Sequence, residues 1–190
     1  LDQRHAGAYR TRIAHFLCEM AALATKRQAL DEAMALLEKA RARAPEAPRP
    51  AVEIAALQQL LAQPDAALDT LLALSTEHPP SLPLVAHPIA QLAQQTGRSE
   101  QVRQRLQALQ PAPPSLDVTE AIASLSPNAS AARASYLQHL ESEPSLVVAS
   151  RWLAGQTLGD AAQQAVVLRA LEQATVPLKR YRCAACGFEA

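Results

Sequence analysis

Aromatic side chains make up only 3% of this 190-residue sequence, and glycine occurs just five times. A core short of aromatics must be filled by small aliphatic side chains, and alanine and leucine dominate here. Such a core packs helices at short distances, which points to an all-α protein. Net charge is missing as well: eighteen lysines and arginines balance eighteen aspartates and glutamates. That balance argues against bulk electrostatic attraction to nucleic acid or to an anionic lipid surface. Three cysteines are too few for a disulfide framework in a chain of this size. No run of about eighteen apolar residues occurs, so no membrane span is expected within these residues. No secretory leader is expected either.

Catalytic signatures are also missing. The sequence has no glycine-rich phosphate loop, no H-E-x-x-H and no nucleophile elbow. Its five histidines are scattered, and His5 and His139 have no evident acid or base partner. His15 lies three residues before Cys18, but the apolar stretch IAHFLCEMAAL reads as a packed helix surface with Cys18 in the core. Arg98, Arg103 and Arg105 form a basic edge that reads as a solvated face. The expectation is a protein that is not an enzyme.

Proline, by contrast, is plentiful, with fourteen residues. Pro45, Pro79, Pro111, Pro144 and Pro177 follow one another at spacings of 34, 32, 33 and 33. Each closes an amphipathic stretch. The clearest is ALDEAMALLEKARARAP, where Leu30, Ala33, Met34, Leu37 and Ala40 form one apolar stripe at helical spacing. Asp31 and Glu32 near its start and Lys39, Arg41 and Arg43 near its end complement the helix dipole. Thirty-four residues on, the pattern returns: Ala67 matches Ala33, Leu71 matches Leu37 and Pro79 matches Pro45. Weaker versions follow, with Gly97 in the turn before the third. First helices are expected at about residues 9–24, 48–62, 81–96, 115–125 and 145–157. Pro88 should kink the third of these or start it.

A period near 34 with a terminal proline is that of the tetratricopeptide repeat. The expected fold is all-α: a tetratricopeptide-repeat superhelix of about five degenerate helix pairs over residues 1–177, with its N-terminal repeats missing. Each pair buries its stripe only against neighbours, and the stack offers a concave surface to a peptide or protein. Arg12, His15 and Glu19, polar residues on the first helix, are candidates to face that groove.

The last segment is different. In KRYRCAACGFEA, Cys183 and Cys186 stand at C-x-x-C spacing with Gly187 and Phe188 directly after. Two such thiolates can grip one metal ion from a tight turn. Gly187 admits the left-handed backbone that turns N–H groups toward sulfur. Lys179, Arg180 and Arg182 would offset thiolate charge. A tetrahedral site needs four ligands, so a second C-x-x-C is expected beyond Ala190. A redox dithiol, or a chance pair, is the other reading.

The repeat array followed by RYRCAACGF resembles the lipopolysaccharide assembly protein B family of Gram-negative bacteria. The stretch YRTRIAHFLCEMAALA with ALDEAMALLEKA is also similar to that family's middle repeats. The resemblance implies that residues 178–190 are the first half of a rubredoxin-like module holding iron or zinc through Cys183 and Cys186. It further implies a non-enzymatic adaptor at the cytoplasmic face of the inner membrane, anchored outside this chain, the fragment itself being soluble. That adaptor would restrain lipid A synthesis by promoting degradation of the committed-step deacetylase. The implied partners are the deacetylase, a membrane-bound ATP-dependent zinc metalloprotease and an inner-membrane lipopolysaccharide-sensing protein. Two alternatives stand beside it: a redox or metal-sensing scaffold, and a generic interaction scaffold of another pathway.

Overall fold

A computed structural model describes residues 3–110, 112–154, 165, 168, 169, 171–173 and 175 of the chain. Every regular element among the described residues is helical. The chain divides into two compact units between Leu109 and Gln110. The first unit holds three helix pairs: α1 (Gln3–Lys26) with α2 (Leu30–Arg43), α3 (Pro48–Leu60) with α4 (Pro64–Glu77), and α5 (Leu82–Gln95) with α6 (Ser99–Leu109). A short 3-10 turn, Pro79–Ser81, leads into α5. The second unit holds α7 (Leu116–Ser124), α8 (Ala129–Ser142) and α9 (Leu146–Ala154). These are the helix pairs that the proline spacing predicts. The fifth second helix, expected over residues 160–177, is described only in part, and its described residues are helical. The segment 178–190 lies outside the described residues.

Local chemistry explains where the helices stop. The second helices α2, α4, α6 and α8 end at Arg43, Glu77, Leu109 and Ser142, each two residues before one of the periodic prolines. The residue before proline is disfavoured in the helical region, so the chain must leave the helix there. Pro48 and Pro64 open α3 and α4, where a missing N–H costs nothing.

The turn inside each pair of the first unit repeats as well. Gln28, Ala62 and Gly97 all have positive φ, at 62°, 58° and 70°. After each, the next backbone N–H reaches back five residues: Ala29 to Ala24 at 2.9 Å, Gln63 to Gln58 at 2.9 Å, and Arg98 to Ala93 at 2.8 Å. This Schellman closure satisfies the last carbonyls of the first helix. Only the third turn has the residue best suited to it.

Packing follows from the small side chains. Ala14, Ala21, Ala24, Ala33 and Ala40 are buried where α1 meets α2, beside Leu17, Cys18 and Leu37. Alanine lets the two backbones come close. Larger side chains fill the middle of the unit, where Leu68, Leu71, Leu82, Ile89, Leu92 and Leu106 are fully buried.

Pro88 does not start its helix. It sits inside α5, which begins at Leu82 and runs on to Gln95. An interior proline removes the bond to the carbonyl four residues back and costs about 3 kcal/mol. Here that carbonyl belongs to Leu84, an exposed residue open to water. Burial of Val85, Ala86, Ile89, Ala90, Leu92 and Ala93 offsets the loss.

Polar bonds also link elements about one repeat apart. Arg98 donates to Asp69 at 2.8 Å, Arg105 to Thr76 at 2.8 Å and Arg41 to Glu77 at 3.2 Å. Arg103 binds Glu100 within α6 at 2.6 Å. The basic edge on the third repeat is thus tied to its own protein. Such exposed pairs contribute little to stability and mainly set register.

In the second unit His139 is buried on α8 and its Nδ1 lies 2.8 Å from the Thr119 hydroxyl of α7. That hydroxyl donates to the Ser115 carbonyl and accepts from the Gln110 amide. Its proton is therefore committed, and His139 must donate from Nδ1. The histidine is held neutral: burial pushes its pKa below the ordinary 6.5, against a smaller upward pull from Glu143.

Two predictions follow from this architecture. An Ala62→Gly change relieves a left-handed strain and should raise unfolding stability by about 0.5–1 kcal/mol in urea titration. Gly97→Ala should lower it by about the same amount, and through the backbone alone, because a Cβ there meets no atom within 4 Å. For His139 the depressed pKa means that the unfolded chain takes the proton more readily. Its contribution is full above about 6.5 and is lost as pH falls through that value toward the folded pKa. The urea midpoint of the second unit should fall on that acid limb, and His139→Gln should flatten the dependence.

Candidate partner-binding groove

The first unit presents an apolar groove of about 360 Å³ between α1 and α3. Ala21, Ala22 and Thr25 come from α1, and Ala56, Leu57 and Leu60 from α3, with Leu37 of α2 also in the lining. Lys26 and Glu53 are its charged members. The groove exists because alanines on both first helices leave space that larger side chains would fill. Leu60, exposed at the end of α3, raises its rim. A cleft of this size sits at the small end of ligand sites and suits one or two apolar side chains of a peptide.

One guanidinium ties the two walls together. Arg49 of α3 donates from Nη2 to Glu19 of α1 at 2.6 Å and from Nε to Glu53 at 2.6 Å. The Arg49 hydrogen bond, then its charge, hold the Glu19 carboxyl below the usual carboxylate range. The same bonds keep Arg49 more firmly protonated than usual. A second recess of about 370 Å³ lies between α2, α3 and α4, lined by Met34, Glu38, Arg41, Ala42, Ile54, Gln58 and Thr70. Its Thr70 and Gln58 bond each other at 2.9 Å, so it is the more polar of the two.

Arg12, His15 and Glu19 are all exposed on α1. Glu19 is engaged by Arg49 beside the groove. Arg49 and Leu60 had no sequence signal of their own. Arg49 meets Glu19 across thirty residues, a separation that only the repeat stack makes short. Leu60 falls off the buried stripe of α3, so it reads as an ordinary helix-end leucine.

Cys18 is fully buried, and burial, then the nearby Glu53 carboxylate, push its thiol pKa up to about 11. At neutral pH it stays a protonated, buried thiol. His15 is exposed, so the two do not form a metal face. Among the described residues no group of three or more histidines, cysteines, aspartates and glutamates could hold a metal ion. Cys183 and Cys186 lie outside the described residues. Among those residues, too, no helix is long and apolar enough to cross a membrane.

No family model matches the chain, and no curated protein matches it. Among solved structures it is similar to the one described as "MamA RS-1 ArsTM double mutant". The TM-score is 0.53 at 11% sequence identity, covering 86% of this chain and 97% of that one. At that identity the likeness shows the fold alone. The fold is all-α, an array of helix pairs of the tetratricopeptide type.

Proposed function

We propose that this chain is a non-enzymatic adaptor that takes an apolar-anchored protein segment into the α1/α3 groove. The observation that carries the reading is the groove itself. It is an open, mostly apolar cleft whose charged lining residues are Lys26 and Glu53, and nothing in it gathers a nucleophile, a base and an electrophile. Such a surface gains affinity from burying apolar side chains, and its specificity comes from the charged rim.

The finer assignment rests on the resemblance carried by RYRCAACGF and the repeats. On that reading the adaptor lowers the level of the lipid A committed-step deacetylase. It presents the deacetylase to a membrane-bound ATP-dependent zinc metalloprotease, under control of an inner-membrane lipopolysaccharide-sensing protein. Holding substrate and protease on one scaffold at the inner membrane raises their effective concentration. Cys183 and Cys186 would supply two thiolates to an iron or zinc site.

The test is the half-life of the deacetylase in living cells. It should lengthen when the protein is lost, and Leu60→Glu should lengthen it too while leaving helical content unchanged. Equal half-lives with and without the protein would sink the lipid A assignment. Metal content supplies an independent check on the C-terminal segment. The protein carried to its natural stop codon should hold one metal ion per chain and lose it in Cys183→Ser; no metal would remove the rubredoxin-like reading.

A further inference from the structure

An arginine bridges the crevice between the second helices α4 and α6. Arg105 of α6 reaches across to Thr76 of α4, its Nη2 2.8 Å from the hydroxyl. One repeat earlier the crevice between α2 and α4 stands open, as the recess of about 370 Å³. The left-handed turns at Gln28, Ala62 and Gly97 fix which positions correspond, since they lie 34 and then 35 residues apart. On that alignment Ala33 and Leu37 match Ala67 and Leu71, which match Val102 and Leu106, and all six are buried. Thr76 then stands where the recess has Ala42, and Arg105 where the recess has Thr70. Thr70 is short and turns to Gln58, 2.9 Å away. The recess opens where, one repeat later, the chain lays its own arginine.

Its walls suit the same side chain. Met34 and Ile54 offer apolar surface to a methylene stem. Glu38 is exposed, and no hydrogen bond or ion pair joins it to another described residue. Thr70 gives its proton to Gln58 and keeps its oxygen lone pairs for a donor. Arg41, the one cation in the lining, is bound to Glu77 at 3.2 Å. Lys39 and Arg43 of the same helix are not in the lining. One carboxylate is therefore in excess. The position of Glu38 is taken by Leu72 in the crevice that has Arg105. The free carboxylate thus occurs in the crevice that lacks an arginine of its own.

We infer that the α2/α4 recess takes an arginine side chain of a protein partner. The stem lies on Met34 and Ile54, and the guanidinium donates to the Glu38 carboxylate and the Thr70 hydroxyl. Arginine fits better than lysine, because a planar head with donors on several edges serves both acceptors at once. The lining shares no residue with that of the α1/α3 groove, so the inference stands apart from the adaptor reading.

An NMR titration of the isotope-labelled full chain with N-acetyl-arginine amide tests it. The backbone amides of Glu38, Ile54, Gln58 and Thr70 should shift together and saturate with a Kd of about 1 mM, as suits so small a ligand. N-acetyl-citrulline amide has the same shape without the charge and should bind at least about tenfold more weakly. N-acetyl-lysine amide should bind about threefold more weakly. Glu38→Gln should lower arginine affinity about tenfold with helical content unchanged, because Glu38 is exposed. Thr70→Arg, which copies the α4/α6 crevice, should abolish the shifts by filling the recess. Leu60→Glu, on the groove, should leave them as they are. Absence of saturation in the millimolar range would overturn the inference. So would citrulline binding as well as arginine, or a Glu38→Gln chain that binds like the original. Free arginine binding more tightly than the blocked residue would make this an amino-acid site and overturn the protein partner.

Discussion

Each helix pair in the first unit has an apolar flank that only another helix can cover, and the rest of the structure follows from that need. A pair of short helices buries too little surface to stand alone. Ala33, Leu37 and Ala40 of α2 cover α1 on one side and help bury Ile54 and Leu57 of α3 on the other. The stack is therefore one connected core made of small contacts. It explains why the sequence uses alanine so freely. Alanine forms helix well and brings backbones close, and the sum of many close contacts replaces a few large aromatic anchors.

Punctuation matters as much as packing in such a chain. Prolines end the second helices, and left-handed turns at Gln28, Ala62 and Gly97 end the first ones. These devices set the length of each helix and so keep its stripe aligned with the next. The cross-repeat bonds Arg49 to Glu19, Arg98 to Asp69 and Arg105 to Thr76 act at the same register. They add little energy each, but they penalise a slipped stack by leaving charged groups without partners.

The proposed adaptor role rests on places where the packing is left incomplete. Between α1 and α3 alanine leaves a groove that a partner's side chain can fill. On the opposite flank of α1 large apolar groups stand in water, where α3 hides their counterparts. The two surfaces differ in character. The groove is small and has Lys26 and Glu53 in its lining, whereas the flank carries the exposed Tyr9, Phe16, Met20 and Leu23.

Much of this architecture can be read from the chain alone. Proline spacing, the stripe of ALDEAMALLEKARARAP and Gly97 in its turn set the number, order and limits of the helices, because those features act within one or two turns of backbone. Cys18 in a packed stretch was legible for the same reason. The left-handed turns at Gln28 and Ala62 were not, since neither residue announces a positive φ; the Schellman bonds impose it. Pro88 inside α5 was not, because the burial that offsets its lost bond comes from other helices. Arg49 bridging Glu19 and Glu53, and the groove beside them, were decided only in three dimensions. Local sequence sets where each helix begins and ends. Which side chains meet across a repeat depends on the distance between stacked helices, and that distance is set by every buried alanine together.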